Sequence, residues 1–258
     1  MKKVKVNFLG FPGWHLECSA MSVKYLGKKL DIHCGGIDHI PVHHTNEIAQ
    51  CEAIFKNKWV NYWLHGAFVT VDGGKMSKSL GNFYTLNILK DNNYDPLDFR
   101  YLTLGTHYRT PLNFTFEALD NAKNSFNHLK DKILDLKDNL ESKGKSRIKN
   151  YQNNFLKAIN DDLNLPKALA VMWDVIKDSK LGNKEKYSLI LDFDKVFGLG
   201  LKDVERGKLN KDLKELIKKR ENARKAKDWK LADKIRDELK KKGVIIEDTE
   251  EGIKWKVL

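Results

Sequence analysis

The chain has 258 residues, 41% hydrophobic and 32% charged, enough for one large domain or two to three small ones, and with no apolar run near the ~20 residues needed to span a bilayer. Its formal net charge of +12 favours a polyanionic partner, nucleic acid foremost, although lysine used as a generic solvated residue explains that charge equally well. The basic start Met1-Lys2-Lys3-Val4-Lys5 has no long apolar stretch behind it, so no signal peptide is expected, and three unevenly spaced cysteines argue against a disulfide framework and for a reducing cytoplasm.

In chain order, Val4–Leu9 reads as a strand, His15–Leu26 as a helix, and Leu30–His33 as a strand ending in Cys34-Gly35-Gly36. His43–Phe55 reads as a second helix, and Trp59–Val71 contains one or two further strands. This alternation suggests an α/β sheet whose loops after strands carry the chemistry, though so few strands leave an open edge. From Leu86 onward helical patterns dominate. Pro96 sits at a helix start, Phe114–Leu140 carries Phe116, Leu119, Phe126, Leu129 and Ile133 on one stripe, and Phe155–Ile159 and Pro166–Ile176 supply two more helices. Gly198–Gly207 reads as a linker, Lys211–Lys241 as a charged helix pair, and Gly243–Leu258 as a hairpin.

Lys75-Met76-Ser77-Lys78-Ser79 is the sharpest motif, placed on a loop after Asp72-Gly73-Gly74. Two lysines flanked by hydroxyls can grip a triphosphate and follow the pyrophosphate as it leaves, so they stabilise the transition state most. A lone Lys-x-x-Lys is usually a polar surface loop, but the full string followed by Leu80-Gly81-Asn82 matches the nucleotide-binding signature of class I aminoacyl-tRNA synthetases. Cys18, His43 and Glu47 form a second constellation. His43 and Glu47 lie one helical turn apart and so share a face. Thiolate, imidazole and carboxylate are plausible zinc ligands, yet on spacing alone a solvated helix and a packed thiol remain the commoner explanations.

Three blocks carry a family resemblance: Gly13-Trp14-His15-Leu16-Glu17-Cys18-Ser19-Ala20-Met21, Asp31-Ile32-His33-Cys34-Gly35-Gly36-Ile37-Asp38, and Pro41-Val42-His43-His44-Thr45-Asn46-Glu47-Ile48-Ala49-Gln50. With Trp59–Asn82 and His107–Phe114, they resemble cysteinyl-tRNA synthetase, and the similarity runs almost to Leu258. The resemblance implies an α/β, partial Rossmann-like catalytic domain, an α-helical bundle and a small C-terminal α+β domain, at residues 1–83, 84–200 and 208–258. It implies that Cys18, His43 and Glu47 bind Zn2+, which the substrate thiol then joins. A hydrophobic pocket cannot separate cysteine from serine sufficiently, whereas a soft metal can. Trp14 and His33 match the amino-acid pocket, and Gly35, Gly36 and Asp38 match the turn that receives adenosine. Lys75, Met76, Ser77, Lys78 and Ser79 match the ATP loop, with Lys75 and Lys78 catalytic and Lys78 the stronger candidate.

Two departures stand out. The family's front half-domain, with its His-x-Gly-His signature and a further zinc cysteine, has no counterpart here, because no His-x-Gly-His string exists and Leu64-His65-Gly66 is no substitute. Cys34 stands where the family usually has glycine and would crowd the adenosine pocket. Cys34 and Cys51 are alternative metal ligands, but packed thiols are the commoner expectation for both.

The last block, residues 208–258, carries 17 Lys and Arg against 11 Asp and Glu, a surface that attracts phosphate without regard to sequence. Its Arg220–Trp229 and Ala232–Asp237 strings resemble the family's anticodon-reading domain. By matching motif positions, Arg224, Asp233 and Asp248 are candidates for contacts to unstacked anticodon bases. Trp229 falls on a stripe with Ala226 and Ala232 and is expected in the core.

The expected activity is therefore ATP-dependent charging of tRNA(Cys) with cysteine, in the cytoplasm and without a membrane partner. The substrates are cysteine and ATP with Mg2+, and a separate N-terminal half-chain is an implied partner of a chain inactive by itself. A non-catalytic tRNA-binding module working through residues 84–258 is the alternative. A ligase joining cysteine to an amino sugar fits the anticodon-like tail less well.

Overall fold

The computed structural model describes residues 13–143, 147–207, 211–249 and 252–257, so the strand expected at Val4–Leu9 lies outside the described residues. The chain divides into two compact units, one formed by Met1–His128 with Gly144–Leu181 and the other by Leu129–Lys143 with Gly182–Leu258. No helix among the described residues is long and apolar enough to cross a membrane.

The first unit opens with helix α1 (Trp14–Leu26), strand β1 (Leu30–Gly36), helix α2 (Thr45–Phe55) and strand β2 (Val60–Gly66). A π-helical turn, Ile40–His44, leads directly into α2. Strands β1 and β2 pair in parallel through the α2 crossover, with His33 opposite Trp63 and Gly35 opposite His65. Leu30, Cys51, Trp59 and Val60 form the core beneath, with Val23 and Phe55 packed against them. One face of the pair turns towards α2. On the other, Ile32 and its register partner Tyr62 are 60% and 69% exposed.

A second small sheet, ordered β4-β3-β5, follows: β3 (Val69–Val71), β4 (Gly74–Lys75) and β5 (Leu112–Phe114). Asp72 and Gly73 both adopt positive φ, 48° and 78°, as a two-residue hairpin turn between antiparallel strands requires. Helices α3 (Leu86–Asp91) and α4 (Pro96–Leu104) complete the layer, and Asp95 and Asp98 form a capping box at the start of α4. Phe114, expected in the long helix, belongs instead to β5. Helix α5 spans Phe116–Asp138, and the boundary between the two units falls within it. Helices α6 (Ile148–Asn160) and α7 (Leu165–Lys177) pack into the first unit, where Trp173 Nε1 donates to Tyr101 Oη at 3.1 Å.

The second unit contains a helix the sequence reading did not separate, α8 (Asn183–Phe197), and then α9 (Lys211–Lys225), α10 (Trp229–Lys241) and the hairpin β6 (Val244–Thr249) with β7 (Gly252–Val257). Ile217, Ile235, Leu239, Val244 and Ile246 form the core of this last block. The stretch expected to be a linker is packed: Leu199 and Leu201 are 1% and 0% exposed, and their backbone N–H groups both donate to the Asp194 carboxylate at 2.8 Å.

Candidate active site and metal centre

Parallel pairing places the ends of β1 and β2 side by side, and the turn from β1 into α2 folds over them. Glu47 sits in the first turn of α2, fully buried at 0% exposure. Its Oε1 lies 3.3 Å from His43 Nε2 and its Oε2 lies 3.1 Å from His33 Nε2. Among the described residues neither oxygen has a well-aligned hydrogen-bond donor, an unusual state for a buried carboxylate. Burial pushes the Glu47 carboxyl up to about 7.

Cys18 reaches the same point from α1, which Ser19 Oγ fixes to α2 by donating to Gln50 Oε1 at 2.9 Å. One potential ligand atom from each of Cys18, His43 and Glu47 lies within 4.8 Å of the others. Burial and then the Glu47 charge raise the Cys18 thiol, while burial lowers His43. All three shifts favour the neutral form of these groups, with burial the largest cause of each.

Sequence reasoning missed the layer behind these residues. His44 is 3% exposed, its Nδ1 lies 2.8 Å from His65 Nε2, and burial followed by His33 depresses it to about 4. His33, His44 and Glu47 form a second group within metal-binding distance, sharing Glu47 with the first. Trp63 stacks on His65 with the ring planes 3° apart and stands 4.8 Å from both His33 and His44. The signal was present in the register, since Trp63 and His65 alternate on β2 as His33 and Gly35 do on β1. Gly35 is needed there, because a Cβ would come within 2.5 Å of the His44 ring.

Trp14 is 66% exposed, its ring 5.2 Å from that of His43. Gly36 leads into a single 3-10 turn, Ile37–His39, where Asp38 is exposed. Cys51 is packed as expected, at 2% exposure, but Cys34 is exposed rather than packed, because it alternates onto the open face of β1.

Lys75 ends β4, and Ser77 caps the short turn Lys78–Leu80 by accepting from Leu80 N–H. Both lysines are exposed, with Lys78 Nζ 5.6 Å from the centre of the Phe83 ring. Met76 packs into the cluster of Val71, Leu89, Phe114 and Leu119, which anchors the loop from below.

In the second unit, Arg220 is 4% exposed and forms a two-pronged pair with Asp248, at 2.9 and 2.8 Å. Arg224 also pairs with Asp248, and its guanidinium lies 6.0 Å from the Trp229 ring. Asp233 is exposed on α10. Trp229, expected in the core, is 57% exposed, because Ala232, Ile235 and Leu239 already fill the buried stripe of α10.

Residues 8–124 match the tRNA synthetases class I (C) catalytic domain, and residues 206–255 match the cysteinyl-tRNA ligase anticodon binding domain. A cysteine–tRNA ligase from Treponema denticola is 42% identical over 96% of this chain and 57% of its own length. A second, from Burkholderia lata, is 46% identical over 94% of this chain and 51% of its own. The chain thus spans about half the length of the curated relatives it matches. A crystal structure of a LeuRS–tRNA–LeuAMS ternary complex from Agrobacterium radiobacter K84 shares the fold over 67% of this chain and 26% of that one, with a TM-score of 0.52 at 15% identity.

Proposed function

The chain belongs to the cysteinyl-tRNA synthetase family, and from that premise we propose that it supplies the thiol-selecting and phosphate-handling side of an ATP-dependent cysteine–tRNA ligase. The observation that carries this reading is the convergence of Cys18, His43 and Glu47, with a fully buried Glu47 carboxylate whose nearest imidazole nitrogens are poorly aligned with it. A sulfur, nitrogen and oxygen donor set around a buried carboxylate fits a divalent transition metal, and the thiolate favours zinc over magnesium or calcium.

Cys18, His43 and Glu47 would hold that ion, and His33 orients Glu47 from its other oxygen. Bound there, zinc supplies a soft Lewis acid that prefers the thiolate of cysteine to the hydroxyl of serine. Trp14, whose ring lies beside that of His43, lines the amino-acid pocket together with His33. Residues 1–83 then act as half of a Rossmann-like nucleotide fold, with Gly35, Gly36 and Asp38 at the adenosine. Activation forms a bond between the cysteine carboxylate oxygen and the α-phosphorus of ATP as pyrophosphate leaves. Lys75 and Lys78 carry positive charge to the departing phosphates, where their attraction grows in the transition state. Transfer of the acyl group to tRNA(Cys) follows, with residues 84–200 and 208–258 engaging the tRNA and Arg224, Asp233 and Asp248 meeting anticodon bases.

The groups that hold the other side of ATP are absent from these 258 residues, and the open face of β1 and β2, with Ile32 and Tyr62, suits further polypeptide packing there. Combining the chain with the front half of the Treponema denticola relative should restore cysteine-dependent ATP–pyrophosphate exchange and tRNA charging. A folded complex of the two that charges no tRNA overturns the reading.

A further inference from the structure

Asn82 bridges the lysine loop from both sides. Its Oδ1 accepts from the Ser77 backbone N–H at 2.8 Å, and its Nδ2 donates to the Lys75 carbonyl at 2.9 Å. Those two partners fix which end of the carboxamide is which, since one is a donor and the other an acceptor. Between them lies Met76, whose partly buried side chain packs against the core. The chain returns to Asn82 through Gly81, at φ 69°, whose N–H donates to the Lys78 carbonyl at 3.2 Å. The residues from Lys75 to Asn82 therefore form a closed ring of hydrogen bonds, with Lys75 at its entry and Lys78 at its tip.

We propose that Asn82 is a positioning residue for phosphate transfer, a two-armed clip that sets the spacing of Lys75 and Lys78. This rests on the reading of those lysines as the groups that meet ATP. The clip acts through backbone alone, so it fixes where the two side chains start while leaving both ammonium groups free to move with the leaving pyrophosphate. Only a carboxamide of this length fits. Aspartate accepts from Ser77 but sets a carboxylate oxygen against the Lys75 carbonyl, and alanine makes neither bond. The Phe83 ring, beneath Lys78 Nζ, is a resting place for that ammonium when no phosphate draws it away.

Two measurements on Asn82→Asp and Asn82→Ala test this. In the 258-residue chain, amide hydrogen exchange at Ser77 should quicken roughly tenfold in Asn82→Ala, the size expected for losing a net hydrogen bond, and stay near the parent rate in Asn82→Asp, which keeps the acceptor, with amides of β2 and α4 unchanged. In the assembled enzyme, kcat for cysteine-dependent pyrophosphate exchange should fall by about tenfold or more, while the KM for cysteine stays within about twofold. A general loosening of the fold would move the cysteine KM as well. Unchanged exchange at Ser77 in Asn82→Ala, or a cysteine KM that rises as kcat falls, overturns the proposal. An unmutated assembly without any pyrophosphate exchange sinks the ligase reading instead, and the Ser77 amide then still decides whether the clip exists.

Discussion

At the scale of single residues, Glu47 organises the first unit's chemistry, because each of its oxygens faces a different histidine. If Cys18, His43 and Glu47 are the ligands, Cys18→Ser removes a bond to the ion, whereas His33→Ala only frees a carboxylate to turn. Second-layer losses typically cost about 10–100-fold in metal affinity, so His33→Ala should fall in that range and Cys18→Ser beyond it. Competition for zinc with a coloured chelator measures both; a larger effect of His33→Ala than of Cys18→Ser would assign the metal to the His33, His44 and Glu47 group. The Arg220 guanidinium poses a different problem. It is buried, and Asp248 is its two-pronged partner, with Arg224 on the same carboxylate. Asp248→Ala should therefore destabilise the last block by about 1–3 kcal/mol, since it strands a buried charge whose partner side is open to water. Thermal unfolding followed by circular dichroism would show it. A variant as stable as the parent would mean that Arg220 reaches solvent easily, and any loss of tRNA binding by Asp248→Ala could then be read as a lost base contact.

At the scale of elements, strand and helix types followed hydrophobic periodicity, but junctions depended on side-chain caps that periodicity does not register. Asp194 shows why the stretch after α8 read as a linker. Two glycines, Gly198 and Gly200, both at positive φ, look like loop punctuation, yet they bend the chain so that Leu199 and Leu201 enter the core under one carboxylate. Asp194→Ala removes the acceptor for two backbone N–H groups and should cost about 1–3 kcal/mol, measurable by urea unfolding. The same blindness hid the depth of the histidine cluster. His43 and Glu47 were legible from a one-turn spacing, whereas His44 and His65 meet only because β1 and β2 are in parallel register, a relation between distant segments. Trp229 was misread because helical periodicity ranks apolar residues together and does not say which of them the facing hairpin has room for. Between α6 and α7, Asp178 offers a test by pH. The Lys180 backbone N–H foremost, with Arg147 and Tyr151, holds its carboxyl down at about 2 from an ordinary 3.8. A depressed carboxyl stabilises the fold fully above the ordinary value and loses that contribution as pH falls through the lowered one. Between about pH 4 and pH 2 the parent should therefore lose more stability than Asp178→Asn; identical acid profiles would show that this network adds nothing.

At the scale of the whole molecule, the net charge of +12 and the exposed Trp229 make separable predictions about tRNA. Lysines that meet phosphates release counterions, so their contribution falls with salt, at a slope of about 0.7–0.9 per phosphate neutralised. An aromatic ring that stacks on a base contributes without regard to salt, typically about 1–3 kcal/mol. Trp229 stands beside the Arg224 guanidinium, itself tied to Asp248, so a flat apolar surface and a fixed set of donors and acceptors share one exposed patch. Filter binding of the full chain to tRNA(Cys) between 50 and 200 mM salt should then show Trp229→Ala displaced to weaker affinity at every concentration with an unchanged slope (about the 1–3 kcal/mol of one lost stack). Replacing solvated lysines of α9 should flatten the slope instead. Exchanging the anticodon should remove the Trp229 effect while leaving the lysine effect intact, because only the first depends on a base. If tRNA with an altered anticodon binds equally well and salt accounts for all of the affinity, the second unit is a generic basic surface and the three proposed base contacts fall together.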